Sequence, residues 1–123
     1  MPIPILKQGQ ILIATMPSAL TDEDLIDLRG NLIGKAGAIH ASGVIIDVTA
    51  LDIIDSFACR LIRNLTLALR LRGAETVIVG IQPDVAFAMV QLGLSLDGVT
   101  TMLDLDDALG FLYRQNYSGE QRD

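Results

Sequence analysis

The sequence predicts a single α/β domain, a mixed sheet of about five strands with about four helices. Three observations carry this. Short β-type runs alternate with helical ones along the whole chain. Two of those runs, Val44-Ile45-Ile46 and Val77-Ile78-Val79, are continuously β-branched, as central strands covered on both faces are. No linker, repeat or low-complexity stretch divides the 123 residues, a length that fits one hydrophobic core.

Taken in order, Ile3-Pro4-Ile5-Leu6 reads as a short edge strand, because Pro4 cannot donate to a ladder. A turn around Gly9 leads to a second strand, Ile11-Leu12-Ile13-Ala14. Thr21 with Asp24 three residues on is a capping-box-like helix start. Leu25, Leu28, Leu32 and Ile33 give that helix an apolar stripe, and Gly34 and Gly37 are expected to help end it. A helix from about Ser56 to Leu71 joins the two β-branched runs in a crossover that should be right-handed. Pro83 suits the first turn of the next helix and Gly93 its end. Thr100-Thr101-Met102 is a short final strand, and Asp104, with Asp107 behind it, caps a last helix carrying Leu105, Leu109 and Leu112. The domain is expected over residues 1–115, followed by a polar C-terminal tail, 116–123, with disorder confined to its end from Ser118 to Asp123.

Composition narrows the function. Half the residues are hydrophobic, Trp is absent and aromatics are few, so the core must be aliphatic. A formal net charge of -6 argues against a nucleic-acid partner, which needs clustered Lys and Arg. One cysteine, Cys59, excludes an internal disulfide and the usual multi-cysteine metal sites. The Met-Pro-Ile-Pro-Ile start lacks the basic and apolar regions of a signal peptide, and no apolar run approaches the roughly 18 residues of a membrane span. A cytoplasmic location is expected, with no cofactor.

The informative stretch runs from Asp47 to Arg60: it leaves a buried strand, turns, and enters a helix at Asp55-Ser56. At about 100° per residue, Ala58, Leu61, Ile62, Leu65 and Leu69 share the buried face, while Ser56, Arg60, Arg63, Leu67 and Arg70 lie opposite. Two leucines, Leu67 and Leu71, beside a line of arginines point to a contact surface. Ser56 has two readings. A serine at a helix start can be a cap worth about 1 kcal/mol. It can also be a phosphoacceptor, whose phosphate would meet the positive end of the helix dipole, with Arg60 one turn along.

The matching residues Ile3-Pro4-Ile5-Leu6, Val44-Ile45-Ile46-Asp47, Ile54-Asp55-Ser56-Phe57, Gly80-Ile81-Gln82-Pro83 and Leu92-Gly93-Leu94 carry a resemblance over nearly the whole chain. It resembles the STAS-domain anti-sigma-factor antagonists, and within them the RsbS-like proteins of the stressosome. Phe57 and Ala58 follow the acceptor serine, where sporulation-type antagonists commonly have serine and glycine, which favours the stressosome branch. The resemblance implies a protein-binding module, not an enzyme. It would join RsbR-type STAS co-antagonists in a large homo- or hetero-oligomer and hold an RsbT-type serine kinase. Phosphorylation at Ser56 would release the kinase, and an RsbX-type phosphatase would reset it. RsbR-type proteins usually carry threonine acceptors, one of them at the position held here by Ser56; whether Thr49 is a second acceptor stays open. Asp55, Phe57, Arg60, Arg63 and Leu67 are expected to meet the partner.

Other candidates are weaker. Asp47 ends a central strand like a response-regulator aspartate, but the acidic pair and the lysine that such chemistry needs are missing, so it reads as a turn or capping residue. His40 lies in a Gly- and Ala-rich loop without a visible partner. Cys59 reads as a helix-surface or partly buried thiol without a base. No Walker-type phosphate loop occurs. Asp52 and Asp55 are solvated turn residues or part of a kinase-docking surface. The helix after Pro83 has almost no polar face: either it is buried inside the domain or one side of it meets another subunit, and the second reading, favoured in so small a fold, makes Phe87 and Met89 candidate assembly contacts. A structural subunit in which Ser56 is only a cap is the alternative to the switchable module.

Overall fold

The computed structural model describes residues 3–121, with side chains through residue 115. Five strands and four helices alternate as β1 (Ile5–Gln8), β2 (Ile11–Thr15), α1 (Asp22–Ile39), β3 (Gly43–Asp47), α2 (Ser56–Leu71), β4 (Glu75–Val79), α3 (Pro83–Gln91), β5 (Thr100–Met102) and α4 (Leu105–Gln121). The strands lie in sequence order in one sheet, β1 antiparallel to β2 and all later pairs parallel. The tight turn at Gly9 allows an antiparallel neighbour, whereas each parallel pair needs a helical crossover. The edge strand starts after Pro4, at Ile5.

Alternation along the strands divides the core in two. Leu12, Ala14, Val44, Ile46 and Ile78 face α1, α2 and α3, which fill the larger cluster with Leu25, Leu32, Ile62, Leu69, Val85 and Met89. Ile11, Ile13, Ile45, Val77 and Val79 face α4, whose Ala108 and Leu112 cover them. This is why the two β-branched runs are apolar at every position.

The local signals explain most boundaries. Thr21 and Asp24 form a complete capping box: the Asp24 N–H donates to Thr21 Oγ1 at 3.1 Å, and the Thr21 N–H donates to Asp24 Oδ2 at 3.0 Å. The Thr21 backbone N–H and then its hydroxyl hold the Asp24 carboxyl below the ordinary carboxylate range. A depressed carboxylate pKa stabilises the fold above its unfolded value, so the box weakens as pH falls through the acid range.

Gly34 and Gly37 do not end α1, correcting that expectation. Packing of Leu32 and Ala36 outweighs the helix-interior cost of glycine, about 1 kcal/mol each. The helix stops at His40, which adopts a left-handed conformation (φ 52°) while the Ala41 N–H closes onto the Ala36 carbonyl at 2.9 Å. His40 is therefore an exposed helix cap, not part of a loop. At the other end of the chain, α4 runs on past residue 115 to Gln121, while Arg122 and Asp123 of the expected tail lie outside the described residues.

Candidate functional site

In parallel sheets, loops at the carboxyl ends of the strands are the natural binding edge. Here three such segments converge: residues 16–21 after β2, 48–55 after β3 and 80–82 after β4. Asp47, at the end of β3, accepts from the Thr49 N–H at 2.9 Å and from the Thr49 hydroxyl at 2.6 Å. It is a turn residue, as its sequence context implies. The following loop is pinned by burial of Leu51 and Ile54 and by the Asp52 N–H, which donates to the Ser18 carbonyl at 3.1 Å.

Between the first two segments lies a cleft of about 280 Å³ with an apolar floor that includes Met16, Leu25, Leu51 and Ile62. Asp22, Asp52 and Asp55 line it as well, so its charge is uniformly negative.

Asp55, not Ser56, is the N-cap of α2. Its backbone is extended and its Oδ1 accepts from the Ala58 N–H at 2.8 Å. Ser56 is the first helical residue, exposed, and its hydroxyl makes no hydrogen bond among the described residues. The capping role weighed for Ser56 belongs to its neighbour. Replacing Asp55 with Ala should cost about 1 kcal/mol, whereas Ser56→Ala should change stability by only a few tenths; paired thermal unfolding curves check this.

The other α2 candidates fall into two groups. Arg60 and Leu67 are exposed with Ser56 on the outer face. Phe57 is half-buried against the main core, and Arg63 is half-buried with Nη1 donating to the Ser95 carbonyl at 3.3 Å. Arg63 is thus turned toward the α3–β5 loop and not toward solvent, because the i, i+4 row Cys59–Arg63 runs alongside that loop. Cys59 is fully buried, correcting its placement near the surface, and its thiol donates to the same Ser95 carbonyl at 2.9 Å. Arg70 completes the row by donating to the Gly98 carbonyl at 2.8 Å.

On α3, Val85 and Met89 sit one turn apart and both point inward. Met89 is only 7% exposed, so its expected place on an outward contact face is corrected. The outward apolar face is instead Phe87, Val90 and Leu92, which are 65%, 75% and 71% exposed.

Among the described residues no group of His, Cys, Asp or Glu could hold a metal ion, and no helix is long and apolar enough to cross a membrane. A binding edge with an unbonded serine hydroxyl beside a capped helix start is the site that remains.

Comparison with known proteins agrees with that reading of the fold. Residues 3–108 match the STAS domain, and the chain belongs to this family. RsbS from Moorella thermoacetica, in a serine-to-glutamate variant, superposes with a TM-score of 0.80 at 29% identity, covering 94% of this chain and 97% of that one. A chain from a structure described as the molecular architecture of the stressosome gives 0.77 at 30% identity, covering 92% and 98%. The structure is therefore RsbS-like over nearly its full length, and the antagonists of this family are not enzymes. Among sequence relatives, the RsbT co-antagonist protein RsbRA of Bacillus subtilis (strain 168) is 27% identical over 99 residues, 80% of this chain. The co-antagonist RsbRC of the same strain is 36% identical over 79 residues, 64% of this chain. The chain spans 35% and 28% of those two proteins' lengths.

The sequence singles out Ser56, Asp55 and Arg60 as candidates but gives no account of what holds their loop. The Gln82 Nε2 donates to the Thr49 carbonyl at 2.7 Å, across 33 positions of chain. Gly80-Ile81-Gln82-Pro83 was the available signal, a glycine and a polar residue placed directly after a buried strand.

Proposed function

We propose that this chain is the small switchable subunit of a stressosome-like assembly: it holds an RsbT-type serine kinase and releases it when Ser56 is phosphorylated. The observation that carries the reading is the Ser56 hydroxyl, exposed and unbonded at the first position of α2, with capping already supplied by Asp55. Such a hydroxyl is presented at no structural cost. In the transfer, the Ser56 oxygen bonds to the γ-phosphorus of ATP as the bridge to ADP breaks, and the hydroxyl proton leaves to the kinase's base. The kinase-facing surface is Ser56 with Asp55, Arg60 and Leu67, and the acidic cleft adjoins it; Phe57 and Arg63 support that surface from beneath.

RsbR-type STAS proteins are the proposed co-subunits, through the outward face of α3, and an RsbX-type phosphatase is the proposed eraser, all in the cytoplasm. A purely structural subunit would share the α3 contact but would leave Ser56 unmodified. Mass spectrometry after incubation with the serine kinase and Mg-ATP separates the two. One phosphate on the Ser56 peptide is expected. An unmodified chain, or ATP turnover by this chain alone, would overturn the switchable-module reading.

A further inference from the structure

Gly80-Ile81-Gln82-Pro83 joins β4 to α3 at a distance in sequence from Ser56, and the switch as described gives it no part. Its contacts do. Gln82 occupies the N-cap position of α3, yet its side chain makes no capping bond. Its amide is spent instead on the Thr49 carbonyl, at 2.7 Å. Thr49 is held from other directions too, its N–H and hydroxyl both donating to Asp47 Oδ1. The Gly80 backbone presses on the same side chain so closely that a Cβ there would overlap Thr49 Oγ1 and reach within 3.0 Å of its Cβ. With φ at 81°, Gly80 also needs the conformational freedom of glycine.

We propose that Gly80 and Gln82 are positioning residues for Ser56, and that they fix Thr49 as a post and not as a second phosphoacceptor. This rests on the reading of Ser56 as the acceptor. The loop that presents Ser56 leaves Thr49 and is next held at Leu51, Asp52 and Ile54. Freeing its first anchor lets the loop sample arrangements that the kinase cannot engage, and apparent affinity falls in proportion to the competent fraction. Chemistry at phosphorus is untouched, so the loss belongs in KM and not in kcat. Thr49 is exposed, but its proton is committed to a carboxylate whose charge repels an incoming phosphoryl group, and its Oγ1 lies close against Gly80, on the side where a Cβ would stand.

The test uses the full chain with Gln82→Glu, which keeps the shape but at neutral pH has no donor for the Thr49 carbonyl. Gln82→Lys, which retains a donor, is the rescue. Because Gln82 makes no capping bond, neither change removes a cap from α3. Hydrogen exchange of the Leu51 and Asp52 amides should quicken about 5- to 10-fold in Gln82→Glu and return toward the native rate in Gln82→Lys. KM for phosphorylation by the serine kinase should rise about 3- to 10-fold with kcat within about twofold. Unchanged exchange, or a fall in kcat at constant KM, would overturn the positioning role. Phosphopeptide mapping of Ser56→Ala should find no phosphate on Thr49, and phosphate there would overturn the second half. If the native chain takes no phosphate at Ser56, the proposed function fails, while the exchange comparison still decides whether Gln82 holds the loop.

Discussion

Phosphorylation of Ser56 is expected to weaken kinase binding about 30- to 150-fold while leaving thermal stability almost unchanged, because the two effects arise in different environments. Within the monomer the phosphate sits at the first position of α2, exposed to water, near the positive end of the helix dipole and one turn from Arg60. These favour it by about 0.3 to 2 kcal/mol, partly offset by the neighbouring Asp55 carboxylate. Under a docked kinase the same dianion must lose water or be repelled, and a loss of about 2 to 3 kcal/mol gives the stated change in affinity. Ser56→Ala should hold the kinase permanently and melt with the native chain, since the Ser56 hydroxyl bonds nothing among the described residues. Ser56→Asp should bind poorly, one carboxylate imitating a dianionic phosphate incompletely. Titrating kinase against native, Ser56→Ala and phosphorylated protein, with unfolding of each measured alongside, decides the matter. Equal affinity for phosphorylated and unphosphorylated chains would remove Ser56 from the mechanism.

How much of this was legible in the sequence depends on whether the deciding physics is local. The approximate extent of α2, the whole of β5 and the capping box at Thr21 could be read directly, because each follows from residues close together in the sequence. The end of α1 could not. Two glycines there resemble a stop, but the buried Leu32 and Ala36 keep the helix going, and burial is a tertiary fact. The same limit applies to α2. An exposed row through Ser56, Arg60 and Arg63 follows from 100° periodicity, but only the fold brings the Ser95 carbonyl to Arg63 and Cys59 and turns both residues inward. Asp55 and Ser56 are equally good caps by residue type. Which of them takes the extended backbone of the N-cap position is fixed by the turn that precedes them.

The second large effect separates the two apolar sides of α3. Phe87→Asp should lower the size of the assembly formed with an RsbR-type STAS protein and leave the monomer folded, whereas Met89→Asp should unfold it. Phe87 is two-thirds exposed, so a charge there meets water in the monomer and costs little. In an assembly it would remove an aromatic anchor worth about 1.5 to 3 kcal/mol of burial and leave an aspartate to be desolvated at each copy of the contact. Met89 lies in the larger core cluster with Val85, and an unpaired carboxylate there costs about 3 to 5 kcal/mol. Against a total stability of about 5 to 15 kcal/mol, that is a melting-temperature drop on the order of 10 to 20 °C, or outright unfolding. Sedimentation of each variant with the RsbR-type protein, beside circular dichroism melts of each variant alone, reads both effects. A Phe87→Asp chain that assembles to full size would move the contact off α3, to another exposed apolar site such as Leu67 and Leu71 on α2. A Met89→Asp chain that melts like the native protein would contradict the burial of that side chain.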